Sequence, residues 1–159
     1  MEKRLSSLIT RAEINNNRIN KDGLISAYVF AAKNHAGQVR QSGEEYITHP
    51  LAVAETLSDW GLDQASIEAA LLHDLPEMTD ISFSELESKF GTEVAGLVEG
   101  VTRVGRVKLR GSQNREFLEN LRKMFVAMAQ DIRVVLIRLA DRRHNIATLN
   151  AVPLSKQKR

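Results

Sequence analysis

The dipeptide His73-Asp74 lies within "LHDLPEMT" (72–79) and places an imidazole beside a carboxylate. Imidazole nitrogen and carboxylate oxygen together suit a divalent cation such as Mn²⁺. Glu77 follows His73 by four residues, so the two side chains share one face if the helix is continuous. A carboxylate in that position can accept or deliver a proton during catalysis. The stretch therefore predicts a metal site with an acid–base residue beside it.

Two residues elsewhere in the chain are candidates for the same site. His49 directly precedes Pro50, whose ring favours the start of a helix and fixes the backbone there. Asp141 interrupts the apolar run of "DIRVVLIRLADRRHNIATL" (131–149), where an unpaired carboxylate would be costly to bury. The candidate metal ligands are His49, His73, Asp74 and Asp141.

A structural interpretation of these residues stands beside the metal site. Asp141 has Arg138 three residues before it and Arg142 next to it, and either arginine could pair with it. His144 belongs to a polar stripe that continues from Asp141, and we expect it to donate a hydrogen bond within the core. An isolated histidine such as His35 is more often structural than a ligand. The residues alone leave both interpretations open.

The composition indicates a single globular domain and limits its chemistry. Of the 159 residues, 43% are hydrophobic and 26% are charged. No apolar run has the length of a transmembrane helix, and residues 1–10 lack the apolar stretch of a secretory signal. The absence of cysteine excludes disulfides and thiolate ligands. A formal net charge of +2 gives little support to nucleic-acid binding.

Nearly every segment has the pattern of a helix, so we predict an all-α fold with one helical bundle. Pro50 is expected at the first position of one helix. The apolar residues predicted to share a face of that helix are Leu51, Ala54, Leu57 and Trp60. Asp63 can cap the next helix, which has Ile67, Ala70 and Leu71 on its inner side.

Further helices are predicted towards the C-terminus. Ser82 and Glu85 have the spacing of a capping box, and Gly91 is expected to end the short helix that they begin. Asn114 can cap a long helix with an apolar stripe. Asp131 can cap the last long helix, which is apolar on several faces and is therefore expected to be central and buried.

Two segments have a distinct character. Residues 103–114 are predicted to form a loop that contains no acidic residue and could either bind a polyanion or be an ordinary solvated surface. Its basic residues are Arg103, Arg106, Lys108 and Arg110. Pro153 begins "PLSKQKR", which has the pattern of a helix that is opened but not closed. We predict that this helix leads to a further domain.

The order His49, His73-Asp74 and Asp141 resembles the H…HD…D pattern of HD-domain phosphohydrolases. Longer segments are similar to the hydrolase (HD) domain of the RelA/SpoT homologue family, which contains bifunctional (p)ppGpp synthetase/hydrolases. These segments are "HAGQVRQSGEEYITHPLAVAE" (35–55), "ALLHDLPEMTD" (70–80), "FGTEVAGLVEGVTRV" (90–104) and "ENLRKMFVAMAQDIRVVLIRLADRRHN" (119–145). The resemblance covers residues 24–159, nearly the whole chain.

The resemblance implies an all-α HD-domain fold and a Mn²⁺-dependent hydrolase. The implied reaction removes the 3′-pyrophosphate of ppGpp or pppGpp and gives GDP or GTP. By position, the resemblance assigns the metal to His49, His73, Asp74 and Asp141, and the catalytic carboxylate to Glu77. The residues that it implies for nucleotide binding are Arg40, Gln41, Ser42, Tyr46, Asn145 and Thr148.

Several residues depart from the pattern of the family. Met78 follows Glu77 where the family usually has Asp, and Pro76 stands where a small or β-branched residue is usual. Gln41 stands where Lys is common. Arg143 and Ala147 replace a typical Leu and Arg. Three functions are therefore open: a hydrolase of guanosine alarmones slowed by Met78, a catalytically impaired guanosine nucleotide-binding or regulatory module, and an HD phosphohydrolase of another phosphorylated nucleotide.

The predicted organisation has three parts. Residues 1–23 are a helical N-terminal extension, residues 24–152 the HD-type hydrolase domain, and residues 153–159 the start of a helix that leads to a synthetase domain. We expect a cytoplasmic protein whose partners are ppGpp and pppGpp, with no membrane partner. Direct nucleic-acid binding by this domain is not expected.

Overall fold

The computed structural model describes residues 2–16, 18–105, 122 and 131–149. These residues form seven α-helices and no β-strand, which confirms the predicted all-α fold. The helices are α1 (Glu2–Asn15), α2 (Lys21–Asn34), α3 (Thr48–Asp59), α4 (Gln64–Leu72), α5 (Leu75–Met78), α6 (Phe83–Gly105) and α7 (Ile132–Ala147). The predicted helix at Asn114, the basic loop after Gly105 and the segment from Pro153 lie outside the described residues.

Helix α4 is the centre of the bundle and contacts α2, α3, α6 and α7. A helix surrounded by others must be apolar on all sides, and every residue from Ser66 to Leu72 is buried. Asp63 caps this helix as predicted, since its side chain accepts a hydrogen bond from the backbone N–H of Ser66. No helix among the described residues is both long enough and apolar enough to span a membrane.

Helix α3 differs from the prediction at both ends. It begins at Thr48, so Pro50 occupies the third helical position and not the first. Leu51, Ala54 and Leu57 are buried as expected. Trp60 is 45% exposed because the helix ends at Asp59 and the chain then turns at Gly61, which has a φ of 73°.

Helix α6 is bent at Gly91. Ser82 accepts a hydrogen bond from the backbone N–H of Glu85, as the predicted capping box requires. Gly91 has a φ of 85°, a conformation that breaks a regular helix, but helical structure resumes beyond it and continues to Gly105. The prediction that the helix breaks at Gly91 is therefore right, and the prediction that it ends there is wrong. Arg103 lies in the last turn of α6 and pairs with Glu99 at 2.6 Å, so it is not in a loop.

Helix α7 is capped by Asp131 as predicted, since the side chain accepts a hydrogen bond from the backbone N–H of Arg133. The expectation that α7 is buried on several faces is wrong. Its inner side carries Val134, Ile137, Ala140 and Asp141. Leu139 is 53% exposed because it faces away from α3 and α6, the helices that α7 contacts most.

Arg133 links three parts of the bundle through carboxylates. Its guanidinium is 2.6 Å from Asp131 at the start of α7, 2.7 Å from Glu93 in α6 and 2.5 Å from Asp63 at the start of α4. The hydrogen bond from Arg133 lowers the pKa of Asp131 below its ordinary value of 3.8. Several charges in one network stabilise a fold more than an isolated surface pair does.

We expect Arg133→Ala to lower the free energy of unfolding at pH 7 by about 1–2 kcal/mol, because three carboxylates lose their shared partner. The loss should shrink as the pH falls below 3.8, since a carboxylate with a lowered pKa contributes its stability only while ionised. Urea unfolding followed by circular dichroism measures both effects. Arg103→Ala, which removes one exposed pair, is the matched control and should cost less than about 0.5 kcal/mol. Equal losses in the two variants would contradict the network.

Candidate metal centre

Three residues from distant parts of the sequence converge beside α4. His49 comes from the first turn of α3, His73 follows the last residue of α4, and Asp141 lies in the middle of α7. They are 3%, 3% and 5% exposed. One potential ligand atom from each lies within 4.8 Å of the other two. The packing of α3, α4 and α7 thus brings together three of the four predicted ligands.

The helix that contains the His-Asp pair is broken at that pair. Helix α4 ends at Leu72, and the one-turn helix α5 begins at Leu75. Pro76 therefore lies in the first turn of α5, where its missing N–H is not needed. Helical hydrogen bonding is thus interrupted at His73 and Asp74, although both residues keep right-handed helical backbone dihedrals, and the shared face of His73 and Glu77 stays a prediction.

The proton on His73 is placed by its hydrogen bond. Its Nδ1 is 2.8 Å from the carbonyl oxygen of Ala70, which can only accept, so Nδ1 carries the proton. In the neutral ring, Nε2 then has a free lone pair. This Nε2 is buried and has no hydrogen-bond partner among the residues that the structure describes; Asp74 Oδ1 lies 3.1 Å away without suitable hydrogen-bond geometry. A buried acceptor without a donor is what a cation would satisfy.

His49 is oriented by His144 and Arg40. The Nδ1 atoms of His49 and His144 are 2.9 Å apart, and a guanidinium nitrogen of Arg40 is 3.2 Å from the same atom of His144. Because Arg40 can only donate, Nδ1 of His144 is an acceptor, and Nδ1 of His49 must donate to it. In a neutral His49 ring the lone pair is then on Nε2, which is 3.3 Å from Asp141.

Nδ1 of His144 thus accepts hydrogen bonds, which leaves its proton on Nε2, and the prediction that His144 donates a hydrogen bond within the core stays a prediction. Burial, followed by the electrostatic interactions with His49 and Arg40, lowers the pKa of His144 to about 4. The ring is therefore neutral at pH 7 and can accept at Nδ1. This arrangement is typical of an outer residue that orients a metal-binding histidine.

The carboxylate of Asp141 is buried, and both of its oxygens have partners. Arg138 donates to Oδ2 at 2.9 Å, and Asn145 donates to Oδ1 at 2.6 Å. Burial alone raises the pKa of Asp141, but the interactions with His49, His73 and Arg138 outweigh it, so the pKa is lowered and Asp141 is ionised. The predicted pairing with Arg138 and the clustering with histidines therefore occur together and are not alternatives.

Asp74 lies at the edge of the cluster, between the histidines and Tyr46. Its Oδ1 is 3.1 Å from Nε2 of His73, and its Oδ2 is 3.5 Å from Nε2 of His49. The Tyr46 hydroxyl donates to Oδ2 at 2.8 Å. Burial, together with the charge of Asp74, raises the pKa of Tyr46, so the hydroxyl keeps its proton. Tyr46, which was predicted to contact nucleotide, thus also holds the fourth predicted ligand.

A short loop between α2 and α3 carries four of the residues predicted to bind nucleotide. An antiparallel bridge between Val39 and Glu45 closes this loop, and the backbone N–H of Arg40 donates to the carbonyl of Glu44 at 2.8 Å. Arg40 reaches Asn145 at 3.2 Å and Thr148 at 3.4 Å at the end of α7. The structure therefore brings Arg40, Asn145 and Thr148 together next to the metal cluster.

The other predicted nucleotide residues lie at the tip of that loop. Gln41 and Ser42 are exposed. The Ser42 hydroxyl donates to Glu44 within the loop at 3.3 Å. No hydrogen bond among the described residues joins these two side chains to α7. They can therefore bind a nucleotide, as predicted, only if it extends from α7 to the tip of the loop.

Glu77 and Met78 are exposed residues of α5 that line a cleft of about 730 Å³. The other lining residues are Asn34, Gln38, Thr79, Asp80, Ile81 and Glu85. Gln38 donates to the backbone carbonyl of Met78 at 3.0 Å, a contact that no sequence pattern predicted. The only feature of the sequence that pointed to Gln38 was its position in the segment 35–55, which is similar to the RelA/SpoT homologues.

The donor set of the cluster fits a divalent cation. Two imidazole nitrogens whose other ring nitrogens donate hydrogen bonds, together with an ionised carboxylate, are ligands of the type that such ions accept. Asp74 can add a second carboxylate oxygen.

Comparisons with known proteins agree with this centre. A model of the HD domain family matches residues 27–159. The chain is 50% identical over 133 residues to a Synechocystis sp. protein named probable guanosine-3′,5′-bis(diphosphate) 3′-pyrophosphohydrolase, with 84% of this chain and 17% of that protein covered. It is 48% identical over 136 residues to the bifunctional (p)ppGpp synthase/hydrolase SpoT of Escherichia coli K12, with 86% and 19% covered.

A solved structure of a metazoan ortholog of SpoT, described as hydrolysing ppGpp, has a TM-score of 0.65 and 30% sequence identity to this chain. The similarity covers 84% of this chain and 76% of that one. The two curated relatives are much longer, since the chain spans only 17% and 19% of their lengths. The resemblance found in the sequence is thereby confirmed, and the chain belongs to the HD domain family, among the relatives of the ppGpp 3′-pyrophosphohydrolases.

Proposed function

We propose that this chain hydrolyses the 3′-pyrophosphate of ppGpp and pppGpp, giving GDP or GTP and pyrophosphate. The observation that carries the proposal is the buried cluster of His49, His73 and Asp141, in which Nε2 of His73 has no hydrogen-bond partner. The names of the relatives support the choice of substrate. Because those curated relatives are far longer than this chain, the activity of the whole protein is part of the proposal.

The cofactor proposed is Mn²⁺, held by His49, His73, Asp74 and Asp141. Mixed imidazole and carboxylate ligands are compatible with this ion. A bound divalent cation would supply Lewis acidity at the scissile phosphate and lower the pKa of a water molecule there. The protein holds its ligands in place through Ala70, His144, Tyr46 and Asn145.

Glu77 is the proposed acid–base residue. Its position in the open cleft, next to the break after the His-Asp pair, lets a substrate approach it from solvent. A carboxylate there can take a proton from the attacking water or return one to the leaving group. Glu77 is thus proposed to transfer the proton, while the metal ligands bind the cation.

The nucleotide is proposed to bind to the loop between α2 and α3 and to the end of α7. Within the described part of the chain, the hydrogen-bond partners of the Arg40 guanidinium are His144, Asn145 and Thr148. All three are neutral groups, so the positive charge of Arg40 can bind a phosphate. Asn145 and Thr148 are proposed to contact the ribose and phosphates. The guanosine part of the nucleotide is proposed to contact Arg40, Gln41, Ser42 and Tyr46.

The proposed setting is a cytoplasmic, multidomain protein. In it, residues 1–23 extend the N-terminus, residues 24–152 form the hydrolase domain and residues 153–159 lead to a synthetase domain. The short span of this chain within its curated relatives supports that organisation. The proposed partners are guanosine nucleotides, with neither a membrane nor nucleic acid among them.

Met78 gives a specific reason to consider a second function. Its side chain lines the cleft beside Glu77 and is 46% exposed, so it is in a position to face a substrate. A thioether cannot exchange a proton. We propose that turnover is slower than in relatives with Asp at this position. A module that binds guanosine nucleotide with little turnover is the second candidate.

Replacing Asp141 by Ala should abolish Mn²⁺ binding, because it removes a proposed ligand of the ion. Among the described residues, it also removes the only ion-pair partner that His49 and Arg138 share. We expect Mn²⁺ affinity to fall by more than about 100-fold, with helical circular dichroism retained. Titration calorimetry with MnCl₂ measures the affinity. Asp59→Ala, which removes a carboxylate paired with Arg11 far along α3, should bind Mn²⁺ normally. Full Mn²⁺ binding by Asp141→Ala would refute the ligand assignment.

Incubation with ppGpp and Mn²⁺ should release pyrophosphate. Glu77→Gln keeps the shape of the side chain but cannot exchange a proton, so kcat should fall by about 10²–10⁴-fold while Mn²⁺ affinity stays the same. Glu85→Gln, on the other side of the cleft, is the control and should keep the wild-type kcat. Wild-type turnover in Glu77→Gln would remove Glu77 from the mechanism.

Met78→Asp should raise ppGpp turnover by about 10-fold or more with little change in Mn²⁺ affinity, because a second carboxylate beside Glu77 can hold the attacking water or shift the proton affinity of Glu77. Met78→Leu keeps an apolar side chain and should match the wild type. Steady-state pyrophosphate release with each variant gives kcat and KM. If Met78→Asp brings no gain and the wild type already equals a relative with the Glu-Asp pair, the slowing effect is excluded.

A further inference from the structure

We infer that Gln38 is a positioning residue that holds the α5 turn, and with it Glu77, against the metal centre. The inference rests on the proposed function for the role of Glu77, but the contact itself is structural. Gln38 lies in the loop after α2 and donates from its side-chain amide to the backbone carbonyl of Met78 at 3.0 Å. Met78 is the residue next to Glu77.

Helix α5 needs such a contact because it is a single turn. It has four residues, and Asp74 provides no side-chain cap at its start. One turn of helix is not stable by its own hydrogen bonds, and the carbonyl groups at its end require partners from outside. The bond from Gln38 supplies a partner at the last residue of the turn.

Gln38 is itself held firmly. Its backbone N–H donates to the carbonyl of His35 at 3.0 Å, and its carbonyl accepts from the N–H of Tyr46 at 3.0 Å. Its side-chain oxygen is 2.9 Å from Nδ1 of His35, a ring that is 3% exposed. That ring stacks on Tyr46 with 4.7 Å between centroids.

The direction of the hydrogen bonds follows from the two ends. The Met78 carbonyl can only accept, so the NH₂ group of Gln38 must face it, and the amide oxygen must face His35. His35 therefore carries its proton on Nδ1. Rotating the amide of Gln38 by 180° would bring its oxygen against the Met78 carbonyl and lose that bond.

The same loop also touches the metal centre. Tyr46, on which His35 stacks, donates to Asp74 at 2.8 Å. His35 and Gln38 therefore connect the turn that carries Glu77 to the residue that orients Asp74. Their role is to keep the distance between the acid–base group and the metal ligands constant, because small displacements of reacting groups reduce rates strongly.

Gln38→Ala tests the inference. We expect kcat for ppGpp to fall by about 10- to 100-fold, with KM and Mn²⁺ affinity within about twofold of the wild type, because the turn is misplaced but the nucleotide and metal sites are not. Val39→Ala, at the adjacent and 66% exposed residue, is the control and should have wild-type kinetics. Unchanged kcat in Gln38→Ala, or a rise in KM at constant kcat as expected for a substrate contact, would overturn the inference.

Substitutions at His35 separate positioning from packing. His35→Asn keeps an N–H group near the position of Nδ1 and should retain more of the wild-type kcat than His35→Leu, which keeps an apolar side chain without a donor. If both variants fold and lose kcat equally, the His35 ring does not orient the Gln38 amide, and that part of the inference is excluded.

A measurement without substrate keeps the inference independent of the proposed function. The chain has four methionines, so methyl-labelled Met78 gives one of a few resonances, which Met78→Leu assigns. The order parameter of the Met78 methyl group should fall in Gln38→Ala and not in Val39→Ala. If the wild type does not hydrolyse ppGpp but the order parameter falls, only the proposed function fails. An unchanged order parameter overturns the positioning role, whatever the activity.

Discussion

The burial of the Asp141 carboxylate is the constraint on which the arrangement of the helices around the site depends. A charge in an apolar core is tolerated only where hydrogen bonds and opposite charge replace water. Arg138 and Asn145, one turn before and one turn after it, engage its two oxygens, and His49 reaches it from α3. Because these partners lie on two helices, they fix both the rotation of α7 about its axis and the height at which α7 packs on α3.

The second constraint is the break between α4 and α5. In a continuous helix, His73 and Asp74 would project about 100° apart and Glu77 would lie above His73. Asp74, in the turn between α4 and α5, approaches the Nε2 atoms of both histidines, and Glu77 lines the wall of the open cleft. In the proposed mechanism, the buried cluster of His49, His73 and Asp141 binds the metal, and the exposed side chain of Glu77 transfers the proton. The cost is a one-turn helix that needs support from the loop after α2.

Local features could be predicted from the sequence, and features that depend on packing could not. The caps at Asp63 and Asp131 follow from a side chain and the N–H groups next to it, so their residue types suffice. The convergence of His49, His73 and Asp141 was expected from motif order. The exposure of Leu139 and the accepting role of His144 depend on neighbours far away in the sequence, whereas the break after Leu72 has a local cause in Pro76, which has no N–H for the Leu72 carbonyl. Periodicity carries no information about such neighbours.

One loop joins these constraints. Between α2 and α3, Gln38 holds the turn of Glu77, Arg40 reaches the end of α7, and Tyr46 orients Asp74. The bridge between Val39 and Glu45 closes this segment, so the three side chains extend from one backbone unit. The tip of the loop lies outside that unit and is exposed. A substitution at the tip, such as one at Gln41, can therefore alter the proposed contacts with the nucleotide while leaving the proposed metal ligands and Glu77 where they are.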